Sequence, residues 1–249
     1  MMQDPLDRRA DDSSPVSTFA AQNFTSPREA MEAVVRMLAE QLSVRSTFVS
    51  HITAETREFE VVVAFNVPGG CDIPEGTVLP LPETFCSTIA GAADLMPLAV
   101  PNARTDPHFG ALPSQAMFNI GSYLGVPIVL GDGTFYGTLC ALDPAPRAFT
   151  PHDADLLALL GRLLGSYIEN AQLAEERDRQ RRAAEERTAE LVALLESIDS
   201  GVFFVAWPDL RVRFVNRRMS DLFGLDLYPS VGHEKPEWIT HHIMGHMAR

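Results

Sequence analysis

The chain's most reactive side chains are three cysteines, at positions 71, 86 and 140 of 249 residues. They lie far apart, cannot all pair, and include no Cys-x-x-Cys spacing suited to zinc or dithiol chemistry. Cys86, in Glu-Thr-Phe-Cys-Ser-Thr, starts a predicted helix, and a helix N-terminus lowers a thiol's pKa. It is equally a small apolar residue for a core. Cys140, in Tyr-Gly-Thr-Leu-Cys-Ala-Leu-Asp, reads as a buried small hydrophobe, with a redox or thioether site as the sharper alternative. The loop 101–109 gathers Asn102, Arg104, Asp106 and His108, which together offer donors, an acceptor and a titratable ring to a small polar ligand. Loop residues of these types also make turns and caps. Phe85, Phe109, Phe118 and Tyr123 are candidates to line the same cavity, or to belong to the core.

Other constellations are weaker. His51 lies on a predicted strand and reads as surface or satisfied core rather than a haem ligand. His242 and His246 share a helix face at metal-ligand spacing, with His233 and His241 nearby, but no cysteine or carboxylate set accompanies them. No metal site is expected. Ser-His-Asp, Walker, HExxH and kinase nucleotide motifs are all missing, so this stretch is not expected to be an enzyme.

Composition narrows the partners. A formal charge of −13, from 33 acidic and 20 basic residues, repels phosphate backbones and anionic lipid heads, so nucleic acid is not an expected partner. The unpaired cysteines fit a reducing cytoplasm. The N-terminus has charge and proline where a signal peptide needs an apolar run, and no segment approaches the ~20 apolar residues of a membrane span.

The elements that must position these residues follow from periodicity. Residues 1–24 mix Asp, Ser, Pro and Arg without period and read as a flexible tail. Ser26 and Pro27 open an amphipathic helix over 27–43. Strands 47–53 and 58–66 form a hairpin, and the Pro- and Gly-rich 67–82 is a loop with a short strand at 77–81. Short helices at 83–92 and 113–119 flank a strand at 95–100. Gly131-Asp132-Gly133 then joins two apolar strands as a tight hairpin.

Thr150-Pro151 opens a long helix of about 45 residues, about 65 Å at ~1.5 Å per residue, which could carry a rotation or register shift between domains. Leu157, Leu160, Leu164, Tyr167 and Ala171 repeat at three and four residues, and the spacing resumes at Leu191 and Leu195. These residues are the expected seam of a homodimeric coiled coil. Between them, 175–190 is a charged stretch laced with i,i+4 pairs, and a stutter is expected near residue 180. After Gly201 come two short strands and a helix at 217–223, and the chain stops before a sheet of ordinary size is complete. It is expected to be part of a longer protein. The fold class is α+β, with an antiparallel sheet, helices packed on it, and a second partial α+β unit.

The run 122–164, with Gly-Val-Pro, Gly-Thr-Leu-Cys and Thr-Pro, resembles the last third of a bacterial GAF domain. Residues 79–91 with 100–109 resemble the ligand side of the same family. Residues 193–225, with Phe-Val-Asn at 214–216, resemble the opening of a PAS domain. The resemblance implies a GAF-like domain at 25–172, a helical linker at 173–196 and the start of a PAS-like domain at 197–249. It further implies a sensory module of a bacterial signalling protein, which holds a small molecule and passes its state through the terminal helix. A ligand-free dimerisation adaptor is the alternative within the family. Cys86 also falls near a cysteine used by GAF-like free-methionine-sulfoxide reductases, with Cys71 as a resolving partner. The rest of that pattern is missing, because no cysteine lies between Ala103 and Gly121. The cofactor stays unknown: there is no Cys-His dipeptide of the bilin-carrying relatives, and no Asn-Lys-x-Phe-Asp-Glu pattern of the cyclic-nucleotide binders.

Overall fold

The computed structural model describes residues 24–53, 55–206, 208, 211–224, 227 and 231. The tail expected at 1–24 (apart from Phe24) and the histidines at 233, 241, 242 and 246 lie outside the described residues. Two compact units divide between Ala174 and Glu175.

In the first unit, helix α1 (Pro27–Leu42) starts where the Ser26 hydroxyl accepts the Glu29 N–H, and it ends at Ser43 in the left-handed region (φ 49). A six-stranded sheet follows, antiparallel throughout, in the order β3-β2-β1-β6-β5-β4. Its strands are β1 (Ser46–Thr53), β2 (Glu58–Asn66), β3 (Val78–Pro80), β4 (Leu98–Val100), β5 (Ser122–Val129) and β6 (Phe135–Asp143). The β5–β6 hairpin turns at Gly133, whose φ of 88 needs a glycine. Helices α2 (Cys86–Ala90) and α3 (Pro113–Met117) sit in the connections, and α4 (Pro151–Ser197) runs 47 residues. The single helix expected at 83–92 is instead a 3-10 turn, Leu81–Glu83, then α2, because Thr84 between them is extended.

Side chains alternate between the two faces of each strand, so the sheet separates two cores. Val49, Val63, Leu124, Val126, Leu139 and Ala141 face α1 and the start of α4. Phe48, Phe59, Val61, Tyr123, Cys140 and Leu142 face the loop-rich middle of the chain. On the helix side α4 approaches β5 through Gly165, where a Cβ would fall 2.2 Å from the Val129 carbonyl oxygen.

That contact corrects part of the expected dimer seam. Leu157, Leu160 and Leu164 are fully buried against the sheet, and the half-buried Tyr167 donates its hydroxyl to the Phe24 carbonyl. Each buried leucine contributes about 1.5–3 kcal/mol to the domain core and is not available to a partner helix. Ala171 is half-buried. Further along α4, Leu173, Leu191, Leu194 and Ile198 are exposed, while Leu195 is half-buried.

The second unit holds an antiparallel pair, β7 (Phe203–Val205) and β8 (Val212–Val215), and helix α5 (Arg217–Phe223). Asn216 organises it. This fully buried amide accepts from the Val202 and Met219 N–H groups and donates to the carbonyls of Leu195 and Ser200. One side chain thereby caps α5 and holds the end of α4 to the strands.

Candidate functional site

Thr138, Cys140 and Leu142 share the loop-side face of β6 by the two-residue period of a strand. Ser50 on β1 lies opposite Thr138, and Gly125 on β5 lies opposite Cys140. Tyr123 shares Gly125's face, and its ring lies across that glycine: a Cβ there would come within 2.1 Å of the Tyr123 Oη. The phenol oxygen therefore reaches the Cys140 Sγ at 3.2 Å and the Cys86 Sγ at 3.4 Å. From above, the turn closed by the Thr84 hydroxyl on the Leu81 carbonyl delivers Cys86 at the head of α2. Its sulfur accepts the Thr138 hydroxyl at 3.2 Å and stands 3.9 Å from the Cys140 Sγ.

The proton directions in this cluster are constrained. Cys140 donates to the Thr138 Oγ1 at 3.2 Å while Thr138 donates to Cys86, so the Ser50 hydroxyl, 2.7 Å from the Thr138 Oγ1, must donate to it. Donors converge on Cys86. Burial pushes its thiol up, but the hydrogen-bonding contacts with Cys140, Thr138 and Tyr123 outweigh burial and hold it below the ordinary value. Burial first pushes both Tyr123 and Cys140 well above theirs, followed by the charges of the two thiols for Tyr123 and by the hydrogen bond with Cys86 for Cys140. The helix N-terminus expected to acidify Cys86 belongs to a five-residue helix, and side-chain contacts supply most of the lowering instead.

Cys86 and Tyr123 also line a cavity of about 20 Å³, together with Phe85, Phe118, Ser114 and aromatic and aliphatic side chains from β1, β2, β3 and β6. That volume holds about one water. Phe85 stacks on Phe109 at 5.1 Å and tilts against Tyr123 at 5.0 Å, which fixes one wall. Ser114, 4% exposed, has a hydroxyl with no hydrogen-bond partner among the described residues. An unsatisfied buried hydroxyl costs about 1–3 kcal/mol.

Of the residues singled out in the sequence, Phe85, Cys86, Phe118 and Tyr123 meet at this cavity. The polar loop does not line it. Arg104 is exposed and donates to the Asn119 Oδ1 and the Pro144 carbonyl, bracing the approaches to β5 and from β6. The Asp106 carboxylate accepts the N–H groups of Phe109 and His108, an Asx turn that holds it below the ordinary carboxylate range. His108 is exposed and meets Phe109 edge-on. Asn102 is half-buried, and its Oδ1 is the other buried side-chain oxygen without a partner among the described residues. Cys71 is buried elsewhere, its N–H on the Ser46 Oγ and its thiol near Arg45 and Asp143, so the sulfur facing Cys86 is that of Cys140. Ser50, Ser114 and Thr138 were missed from sequence. The available signal was period two in β6, which puts Thr138 and Cys140 on one face. Among the described residues no three His, Cys, Asp or Glu are grouped to hold a metal, and no helix is long and apolar enough to cross a membrane.

Comparison with known proteins places this geometry. The sequence model of the GAF domain family matches residues 26–168, and that of a PAS domain matches 189–246. Diguanylate cyclase DgcP of Escherichia coli (strain K12) is 27% identical over 152 residues, 59% of this chain and 43% of that protein. The chain thus spans less than half the length of that relative. The fold matches the GAF domain of an Acinetobacter phosphoenolpyruvate-protein phosphotransferase, with a TM-score of 0.52, 16% identity, and coverage of 65% of this chain and 92% of that one. It also matches a free methionine-R-sulfoxide reductase from Neisseria meningitidis solved with its substrate, with a TM-score of 0.50, 20% identity, and coverage of 64% and 87%.

Proposed function

The chain belongs to the GAF domain family over residues 26–168, and from that membership we propose that its cavity holds a small, largely apolar molecule whose one polar atom bonds the Ser114 hydroxyl. A GAF domain, a PAS match and a diguanylate cyclase relative mark a sensory module of a bacterial signalling protein. In this reading the module itself is non-catalytic and cytoplasmic. It forms a homodimer through the exposed apolar residues of α4 and passes the occupied state along that helix to the PAS part and an output domain. Ser114 carries the ligand proposal: of the hydroxyls in the lining, its own is the one without a hydrogen-bond partner among the described residues. Because the volume is only about 20 Å³, a ligand enters by displacing the half-buried Phe118 at the end of α3.

Thermal melts of the full chain and of Ser114→Ala against small aromatic alcohols and phenols test this. A ligand that binds only the folded state raises the melting temperature, and the substitution should remove most of that rise. Equal shifts in both proteins would detach Ser114 from binding. The small volume also favours a second reading, a filled pocket in an adaptor that only dimerises, under which no compound moves either melt.

A further inference from the structure

The ligand reading leaves unexplained why two thiols face each other at the cavity, one accepting the Thr138 hydroxyl and the other donating to it. We infer that Cys86 and Cys140 are an oxidisable pair, in which hydrogen peroxide entering the cavity oxidises Cys86 and Cys140 then closes a reversible disulfide. Three observations carry this. The sulfurs stand 3.9 Å apart with no side chain between them in the hydrogen-bonded cluster, within reach of the ~2.05 Å of a bond after a small approach of α2 to β6. Only Cys86 of the two lines the cavity, so the reagent meets that sulfur first. The Thr138 hydroxyl at 3.2 Å and the Tyr123 hydroxyl at 3.4 Å can both support charge on Cys86, while Cys140 keeps its proton toward Thr138. A thiolate, not a thiol, is the nucleophile, so Cys86 attacks and Cys140 resolves.

The balance is simple. The Cys86 sulfur bonds one peroxide oxygen as the O–O bond breaks, and the other oxygen leaves as water with the Cys86 proton, giving a sulfenic acid. Cys140 then attacks the Cys86 sulfur; the S–S bond forms, the S–O bond breaks, and the hydroxyl leaves as water with the Cys140 proton. Two electrons from two thiols reduce one peroxide to two waters, and a dithiol reductant restores the pair by exchange. The bond would tie α2, one wall of the cavity, to the centre of the sheet.

The test is a peptide map of the full, reduced chain after hydrogen peroxide, with alkylation by a maleimide during unfolding. The expected product links the Cys86 and Cys140 peptides, leaves Cys71 alkylated, and disappears with dithiothreitol. Alkylation of both Cys86 and Cys140, under conditions that oxidise glutathione in the same tube, would overturn the inference; so would a disulfide through Cys71. In Cys140→Ala, Cys86 should stop at a sulfenic acid that dimedone traps. If that variant fails to fold, the wild-type map decides alone. Ligand binding is read by melts and the disulfide by mapping, so either idea can fail without the other.

Discussion

The Tyr123 Oη stands 3.2 Å from the Cys140 Sγ because Gly125, which pairs with Cys140 across β5 and β6, leaves room for the tyrosine ring to lie over it. A methyl at residue 125 would overlap that ring, with contacts of 2.1 Å to the Oη and 2.6 Å to the carbon bearing it. Gly125→Ala is therefore expected to destabilise the domain by about 1–3 kcal/mol through overpacking, seen as a lower urea midpoint at unchanged m-value. A neutral effect would mean that the ring does not lie there.

Asp143 anchors the end of β6 to the start of β1. It accepts the Arg45 guanidinium at both carboxylate oxygens and the Ala145 N–H. Burial pushes its pKa up, but Arg45 and Ala145 outweigh burial and leave it below the ordinary value of 3.8. The unfolded chain therefore takes up this proton first on acidification. Stability from the pair is present above the ordinary carboxylate pKa and is lost as pH falls through the folded value. Asp143→Asn should lower the urea midpoint at pH 7 and flatten its decline below about pH 4. Parallel acid profiles for the two proteins would reject the assignment.

Cys71 gives the opposite limb. Burial, helped by the Asp143 charge, pushes its thiol from 9.0 up to about 12. The fold keeps the thiol protonated where the unfolded chain ionises, so stability is intact below pH 9.0 and falls as pH rises toward about 12. Cys71→Ala should lessen the slope of stability between those limits, measured by urea midpoints over pH, even if it lowers the neutral value. An unchanged slope would exclude Cys71 as the cause.

Leu191 and Leu194, 61% and 62% exposed, lie on the part of α4 that the first unit does not bury. If they form the homodimer contact, Leu191→Glu with Leu194→Glu in the full chain should halve the mass found by light scattering. A monomeric wild type, or a dimer indifferent to both changes, would remove the dimer from the account.

The architecture was legible because its signals are local. Ser26-Pro27 and Thr150-Pro151 mark helix starts, period two marks β5 and β6, and the 131–133 turn allows only a hairpin. The site was half legible. Of the four aromatics grouped from sequence, Phe85, Phe118 and Tyr123 line one cavity, while Phe109 stacks on Phe85 and is not in the lining. The polar loop misled, because Asp106 and Arg104 satisfy backbone groups as well as they would a ligand. The Cys86–Cys140 contact was hidden because it joins residues 54 apart through strand register, which no spacing reveals. The heptad pattern misled for a related reason: Leu157 to Leu164 can face a partner helix or their own sheet, and Gly165 lets the sheet come close enough to win.

The central claim, that the GAF domain holds a small molecule, is tested most directly by native mass spectrometry of the full chain purified from its own host, beside the same sample denatured. The account predicts that the native mass per polypeptide exceeds the denatured mass by one small molecule, and that Ser114→Ala loses it. Identical masses for the native and denatured polypeptide, in a protein that is otherwise folded and dimeric, would contradict it and leave the adaptor reading in its place.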